Sequence, residues 1–516
     1  MKPYSRRDFS KALGLGAFAL ASSGFPQPAA RKPNVVFILA DDLGWRDTTL
    51  YGSKYYETPN IDQLAKRGVR FDQAYAAAPI CSPTRASILT GLYPARIGII
   101  QPECHLPQVI LEQKVPAKAA PDRKCVTPNS LTRLKQEYFT LAEALKGAGY
   151  STGHFGKWHL GMEPYDPLHQ GFDVDVPHWW GPGPGNYIAP WKFPASLHFQ
   201  GEPGEHLEDR MASEASKFIQ ANRDRQFYLN YWCFSVHSQW DGKASLIEKY
   251  KAKADPKDPQ HNALYAAMVQ SMDDAVGRLV KEIDDAGVAE HTIIVFFSDN
   301  GGVFWEPNAH AMGKNSPHPE YMDLPITSNA PLREGKGTLY EGGTREPCLV
   351  VWPGMVQPRT RSSQILQSVD FYPTILEMTG VKPQAGLQFD GVSVVPALKG
   401  QPFEHPPIFC HYPVYNAFTM PGTWVRKGDW KLIRFWFDSD QQTHRYELYN
   451  LKDDLGETRN LAAKTPEKVR ELDTEIDRFL RDTHAVVPKP NPNYTPGAGR
   501  KAVGSAYEVL NADDMA

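Results

Sequence analysis

The sequence lacks the marks of a zinc site, a disulfide framework, a nucleic-acid binder and a membrane span. Its six cysteines (Cys81, Cys104, Cys125, Cys233, Cys348 and Cys410) are scattered over 516 residues with no CxxC pair. Neither a zinc cluster nor a dense disulfide scaffold is therefore signalled. Cys104 and Cys125 could pair across a loop, which spacing alone leaves open. The formal net charge is only -3, and a nucleic-acid binder would carry a strong basic bias. The apolar run Ala12 to Ala21 is too short to span a bilayer. No internal repeat is evident. What is present is a 41% hydrophobic chain with 44 prolines, 40 glycines and 12 tryptophans. That composition predicts a large core in two domains, many ordered loops, and aromatic rings able to stack on sugars.

The chain opens on a targeting pattern. Ser5-Arg6-Arg7-Asp8-Phe9-Ser10-Lys11 precedes the apolar run, and small residues and prolines follow to about Ala30. This resembles a twin-arginine export signal. Residues 1–30 are therefore expected to be a signal peptide. The resemblance implies a bacterial protein that folds in the cytoplasm, engages the twin-arginine export machinery and reaches the periplasm or medium without a permanent membrane anchor.

Three apolar runs read as buried parallel strands: Val35 to Ala40, Phe227 to Phe234 and Thr292 to Phe297. They end at Asp41-Asp42, just before His237, and at Asp299-Asn300-Gly301-Gly302. Tyr150 to His159 reads as a further strand, with Lys157 and His159 alternating onto one side. Asn60 to Gly68 reads as a helix with an Asn cap, Asn262 to Ala286 as a long helix, and Glu103 to Leu134 as an irregular insertion. Pro177 to Gly204 reads as an ordered loop over a pocket. Residues 31–405 are expected to form an α/β domain with a large, mostly parallel sheet between helices. Residues 406–516 are expected to add a small antiparallel subdomain, a charged helix and a polar tail.

Cys81-Ser82-Pro83-Thr84-Arg85 opens a predicted helix stopped by Gly91 and Pro94. Proline in a first turn costs no hydrogen bond, and a helix N-terminus favours an anionic group. A buried structural cysteine is the commoner use of the residue, so the setting must decide. Ligands in α/β sheets collect at carboxyl strand ends. Asp41, Asp42, Asp299 and Asn300 offer hard oxygen ligands suited to Ca²⁺ or Mg²⁺. Arg85, Lys157 and Lys336 would surround an anion, and His159 and His237 could move protons. Together these suit phosphoryl or sulfuryl transfer.

CSPTR with the following Leu89-Thr90-Gly91 resembles the signature of the sulfatases. The likeness extends from about Lys32 into the C-terminal subdomain. It implies an alkaline-phosphatase-like α/β sandwich and a sulfuric ester hydrolase. It also implies oxidation of Cys81 to formylglycine by a formylglycine-generating enzyme. Asp41, Asp42, Cys81, Asp299 and Asn300 would hold Ca²⁺, with Mg²⁺ as the other choice. Arg85, Lys157, His159, His237 and Lys336 would bind sulfate and move protons. The stretch Tyr56 to Asp62 resembles bacterial sulfatases of the N-acetylgalactosamine- and galactose-sulfate type, so a sulfated glycan is the expected substrate. Trp45, Arg46, Trp179, Trp180, Trp240, Trp305, His310 and Arg333 are the candidate substrate contacts. A phosphonate monoester or phosphodiester hydrolase, and a non-catalytic glycan-binding protein, are the alternatives.

Overall fold

The structure is a computed structural model that describes residues 31–310 and 316–498. The expected signal segment and the tail from residue 499 lie outside the described residues.

The body is built on one sheet of eight strands. In chain order they are β1 (Asn34–Ala40), β2 (Val69–Tyr75), β4 (Ser151–Gly156), β5 (Val174–Val176), β6 (Phe227–Trp232), β7 (Thr292–Ser298), β8 (Arg345–Val351) and β9 (Thr360–Gln367). Their spatial order is β5-β4-β6-β1-β7-β8-β2-β9. β8 alone runs against the rest.

The position of β1 follows from its sequence. Val35, Phe37 and Leu39 face one core, and Val36, Ile38 and Ala40 face the other. A strand apolar on both sides must lie inside the sheet with helices over each face. One core is covered by the helices Leu207–Asn222 and Ala263–Asp285. The other is covered by Cys81–Thr90, Leu141–Gly147 and Phe371–Thr379.

A second sheet is antiparallel, in the order β10 (Ile408–Tyr412), β11 (Gly422–Lys427), β12 (Trp430–Phe435) and β13 (Arg445–Asn450). The helix Pro466–Asp482 packs on it through Leu472, Ile476, Phe479 and Leu480. Phe479 stacks on Phe409 with ring centroids 4.3 Å apart. Each such buried side chain contributes roughly 1.5–3 kcal/mol.

Three local expectations are corrected, and one open pairing is answered. β4 stops at Gly156, so Lys157 and His159 lie beyond the strand and do not alternate along it. The helix near residue 60 is Pro59–Ala65, without a side-chain cap; Asn60 lies inside it and bonds Asp273. The insertion contains a strand, β3 (Cys125–Val126), which pairs with β14 (Lys489–Pro490). The chain after Val487 is therefore fastened to the insertion at least to Asn491, which is buried. All six cysteines are free and buried, so Cys104 and Cys125 do not pair.

Candidate active site

β4, β6, β1 and β7 are neighbours and run parallel, so their carboxyl ends open at one edge. That edge receives Lys157 and His159, His237, Asp41 and Asp42, and Asp299 and Asn300. β2 runs the same way, so the turn after it brings Cys81 to the same edge. β8 is reversed, so the loop entering it brings Lys336 there too. Cys81 is the first residue of its helix, with Ile80 extended before it and Gly91 left-handed at the end. None of the ten expected metal, sulfate and proton-transfer residues is more than 7% exposed.

Close backbone approach makes the convergence possible. Gly156 has φ 111°, and a Cβ there would lie 1.8 Å from the Trp232 carbonyl oxygen. Lys157 N–H donates to that same oxygen at 2.9 Å. A Cβ on Gly301 would meet the Gly342 carbonyl at 1.8 Å. Asp42 and His159 are held in the left-handed region, at φ 61° and 57°. Such strain costs on the order of 1–3 kcal/mol per residue and collects at functional sites.

Asp41 Oδ2 accepts from Lys157 Nζ at 2.6 Å and lies 3.7 Å from Arg85 Nη2; its Oδ1 accepts from Cys81 Sγ at 3.6 Å. Asp42 Oδ2 accepts from Lys336 Nζ at 2.7 Å and lies 3.8 Å from His237 Nε2. Asp42 Oδ1 accepts from the Asn300 amide at 2.8 Å. Asp299 Oδ2 lies 2.9 Å from Arg85 Nε and 2.8 Å from Nη2; its Oδ1 accepts the Asp42 N–H at 3.2 Å. Arg85 also donates to the Lys157 carbonyl at 2.7 Å and lies over the Trp232 ring.

The surroundings set the ionisation. Burial raises Asp42, but Lys336, His237 and Lys157 outweigh it and hold the carboxyl well below the usual range. Burial, with the Asp41 charge, pushes Asp299 up to about 6 against Arg85. Burial pushes the Cys81 thiol up to about 12, and Lys157 and Lys336 only partly oppose it. An unmodified Cys81 is thus a neutral thiol at pH 7 and a poor nucleophile. Burial and the lysine charges take His237 down to about 3. Its Nδ1 lies 2.6 Å from the Ser238 carbonyl and so carries the ring proton. Nε2 is therefore the nitrogen facing Asp42.

A cation fits this arrangement. Ligand atoms of Asp41, Asp42, Cys81 and His237 lie within 4.8 Å of one another. Asn300 Oδ1 beside them is buried with no hydrogen-bond partner, a vacancy in bonding that a hard cation can fill. The grouping differs from the expected ligand set in one respect. Asp299 turns to Arg85, whereas His237 joins the cluster.

The expected substrate contacts separate. Trp240 is 2% exposed and packs in the core, with no ring face left for a ligand. Trp179 is buried and donates to the Gly183 carbonyl at 2.9 Å. Trp305 is buried against Phe418, ring centroids 4.1 Å apart. Arg46 donates to the Ala330 carbonyl at 3.1 Å; Arg333 donates to the Glu457 carbonyl at 3.0 Å and stacks on Tyr340. These two arginines brace loops. Trp45 packs edge-on to Tyr51, and Trp180 is half-buried against Trp179. The His310 side chain lies outside the described residues. The Trp-rich loop does reach the site: a Cβ on Gly183 would come 2.8 Å from His237 Nδ1.

Sequence reasoning missed His105, whose Nδ1 lies 3.0 Å from His159 Nε2. It sits in an aperiodic insertion, where no pattern marks a side chain as functional.

Comparison with known proteins shows the family. The family model described as Sulfatase matches residues 33–381, and one described as N-sulphoglucosamine sulphohydrolase, C-terminal, matches 335–485. A protein described as a sulfatase from Formosa agariphila is 31% identical over 92% of this chain and 93% of its own. N-acetylgalactosamine-6-sulfatase of Mus musculus is 31% identical over 76% of this chain and 71% of its own. The crystal structure of Ps i-CgsB in complex with k-i-k-neocarrahexaose is 26% identical with a TM-score of 0.70, covering 88% of this chain and 94% of that one.

Proposed function

The chain belongs to the sulfatase family and is a sulfuric ester hydrolase; on that footing we propose that it desulfates a carbohydrate, using Cys81 converted to formylglycine and one divalent cation. The observation that carries this reading is the buried meeting of Cys81 with Asp41, Asp42, Lys157 and Lys336 at one sheet edge. Asp41, Asp42 and Asn300, with the modified residue 81, would hold the cation, and Asp299 would complete the set. The cation, Ca²⁺ or Mg²⁺, would supply Lewis acidity and counter-charge. Formylglycine would supply a hydrated aldehyde whose oxygen is the nucleophile and whose second hydroxyl allows sulfate to leave.

The protein's own groups do the rest. Three carboxylates and three cationic side chains balance in the cluster. A divalent cation therefore gives the site an excess positive charge for a sulfate ester. Lys157 and Lys336 hold the sulfate oxygens as charge spreads over them. His237 Nε2, once protonated, gives its proton to the departing alcohol oxygen, with the Lys336 ammonium as the neighbouring donor. His159 takes a proton from the side chain at position 81, and sulfate is released. Arg85 fixes Asp299 and the backbone at Lys157.

A carbohydrate sulfate is supported by the relative named for N-acetylgalactosamine 6-sulfate and by the aromatic loops beside the site. Galactose or N-acetylgalactosamine sulfate is the specific choice. Trp45, Trp180 and His310 remain the contacts to test. Residues 31–405 form the catalytic domain and 406–516 the C-terminal subdomain in this reading. The segment 1–30 would direct export by the twin-arginine route after a formylglycine-generating enzyme has acted on Cys81 in the cytoplasm. Full periplasmic delivery of a variant with Arg6 and Arg7 both changed to Lys would overturn that route.

The test begins with the mass of the Cys81 peptide, to establish conversion. The converted protein is then assayed on sulfated mono- and disaccharides, nitrophenyl sulfate and nitrophenyl phosphonates. Release of sulfate from a sugar is the expected result. Preferential phosphonate cleavage would instead make it a phosphonate monoester hydrolase. Binding of glycans without turnover by converted protein would make it a lectin-like relative.

A further inference from the structure

His105 is a neighbour of the site that the chemistry above does not use. Its Nδ1 lies 3.0 Å from His159 Nε2, with ring centroids 5.1 Å apart. The insertion holds it in place. Buried Arg133 donates through Nη1 to the Cys104 carbonyl at 3.2 Å and through Nη2 to the Leu106 carbonyl at 2.8 Å. One guanidinium thus clamps the backbone on both sides of His105. His159 is fixed from its other side. Ser82, next to Cys81, donates its hydroxyl to the His159 carbonyl at 2.7 Å. His159 Nδ1 is buried and has no hydrogen-bond partner.

Two imidazole nitrogens at this distance share a single proton: one donates N–H and the other accepts it. We propose that His105 is a positioning residue for His159, accepting the His159 Nε2–H at its own Nδ1 and leaving His159 Nδ1 as the atom that takes up a proton. The inference rests on the reading of His159 as a proton acceptor. When His159 gains a proton at Nδ1, its Nε2–H remains directed at His105, and the bond becomes charge-assisted and about twice as strong. A histidine in an enzyme site commonly has its ring oriented this way by a partner on the other nitrogen. A carboxylate in that place would add negative charge beside an anionic substrate, and a neutral imidazole does not. Burial and Lys157 keep His105 neutral, lowered to about 4, which agrees with a role as acceptor.

The test uses full-length protein with isotope-labelled histidine. Ring-nitrogen NMR of the wild type should show His159 as the Nε2–H tautomer, and His105→Ala should mix the two tautomers. His105→Asn, whose amide oxygen can accept the same N–H, should restore the single form. On the substrate the enzyme turns over, His105→Ala should lower kcat about 10- to 100-fold with KM little changed, and His105→Asn should recover most of it. An Nδ1–H tautomer of His159 in the wild type, or an unchanged kcat in His105→Ala, overturns the proposal. His159→Ala separates the two readings. If it leaves kcat unchanged, the reading of His159 fails and this one with it. If it removes turnover while His105→Ala has no effect, only the positioning role fails.

Discussion

Two clusters of buried charge among the described residues differ in what they bring together. One is the strand-end site. The other joins the antiparallel sheet to the body. There Lys431 Nζ lies 3.0 Å from Glu341 Oε1 and 2.9 Å from Glu457 Oε1. Tyr75 donates to Glu341 Oε2 at 2.6 Å, and the Glu341 N–H donates to Glu457 Oε2 at 2.7 Å. All four carboxylate oxygens face a cation or a donor. At the strand ends Asn300 Oδ1 and His159 Nδ1 have no partner, and Asp42 and His159 sit in strained backbone. Burial of charge is common to both. So are left-handed backbone and an oxygen without a hydrogen bond, since Glu457 has φ 52° and its Oε1 meets Lys431 only as an ion pair. What marks the strand-end site is that ligand atoms of Asp41, Asp42, Cys81 and His237 gather within 4.8 Å of one another.

The comparison breaks most visibly at the nucleophile. Cys81→Ser should fold as the wild type and lose multiple turnover by about 10⁴- to 10⁶-fold, as when the nucleophile of a catalytic set is removed. Steady-state kinetics with nitrophenyl sulfate or the active sugar sulfate checks it, and sustained turnover would rule out the formylglycine mechanism. Lys431→Met should act in the opposite sense. It leaves two buried carboxylates facing each other and should lower unfolding free energy by about 3–5 kcal/mol, with kcat per folded molecule retained. Urea titration with an activity assay on the folded fraction measures both.

Chelation sharpens the contrast. Removing the divalent cation should abolish turnover and lower stability by about 2.7 kcal/mol relative to cation at one hundred times its Kd. Returning Ca²⁺ should reverse both effects. Chelation of the wild type should leave the Glu341–Lys431–Glu457 cluster as it is, since the Lys431 ammonium already stands between the two carboxylates.

A third buried pair gives the smallest effect. His405 Nε2 lies 2.9 Å from Asp370 Oδ2. Burial lowers the His405 pKa, but Asp370 outweighs it and raises the ring above 6.5. A raised histidine stabilises the fold fully below pH 6.5, and the contribution is lost as pH rises through the raised value. His405→Gln should therefore cost about 1 kcal/mol at pH 6 and progressively less at higher pH. Denaturation of both proteins from pH 6 to 9 follows the convergence.

The strand-end site was largely legible before the fold was known. Asp41-Asp42 and Asp299-Asn300 each follow an unbroken apolar run, and a buried parallel strand delivers its last residues to one edge. The Glu341–Lys431–Glu457 cluster had no such signal. Its members come from the start of a short helix, an antiparallel strand and a loop, and only packing brings them together. Which of the expected tryptophans would be buried was not legible for a related reason. Trp240 and Trp179 have a composition suited to sugar stacking, but burial is decided by neighbours distant in the chain.

The amino-acid sequence by itself determined the central strands β1, β6 and β7, the helix that begins at Cys81, and the polar residues that follow each of those strands. Those are local matters of apolar period, glycine placement and helix stops. Tertiary structure decided which oxygen each cation meets, that Asp299 turns to Arg85, that the tail returns to β3, and that His105 reaches His159. Those contacts join residues separated by tens to hundreds of positions, through aperiodic loops whose path is set by packing and by buried bonds that must all be satisfied.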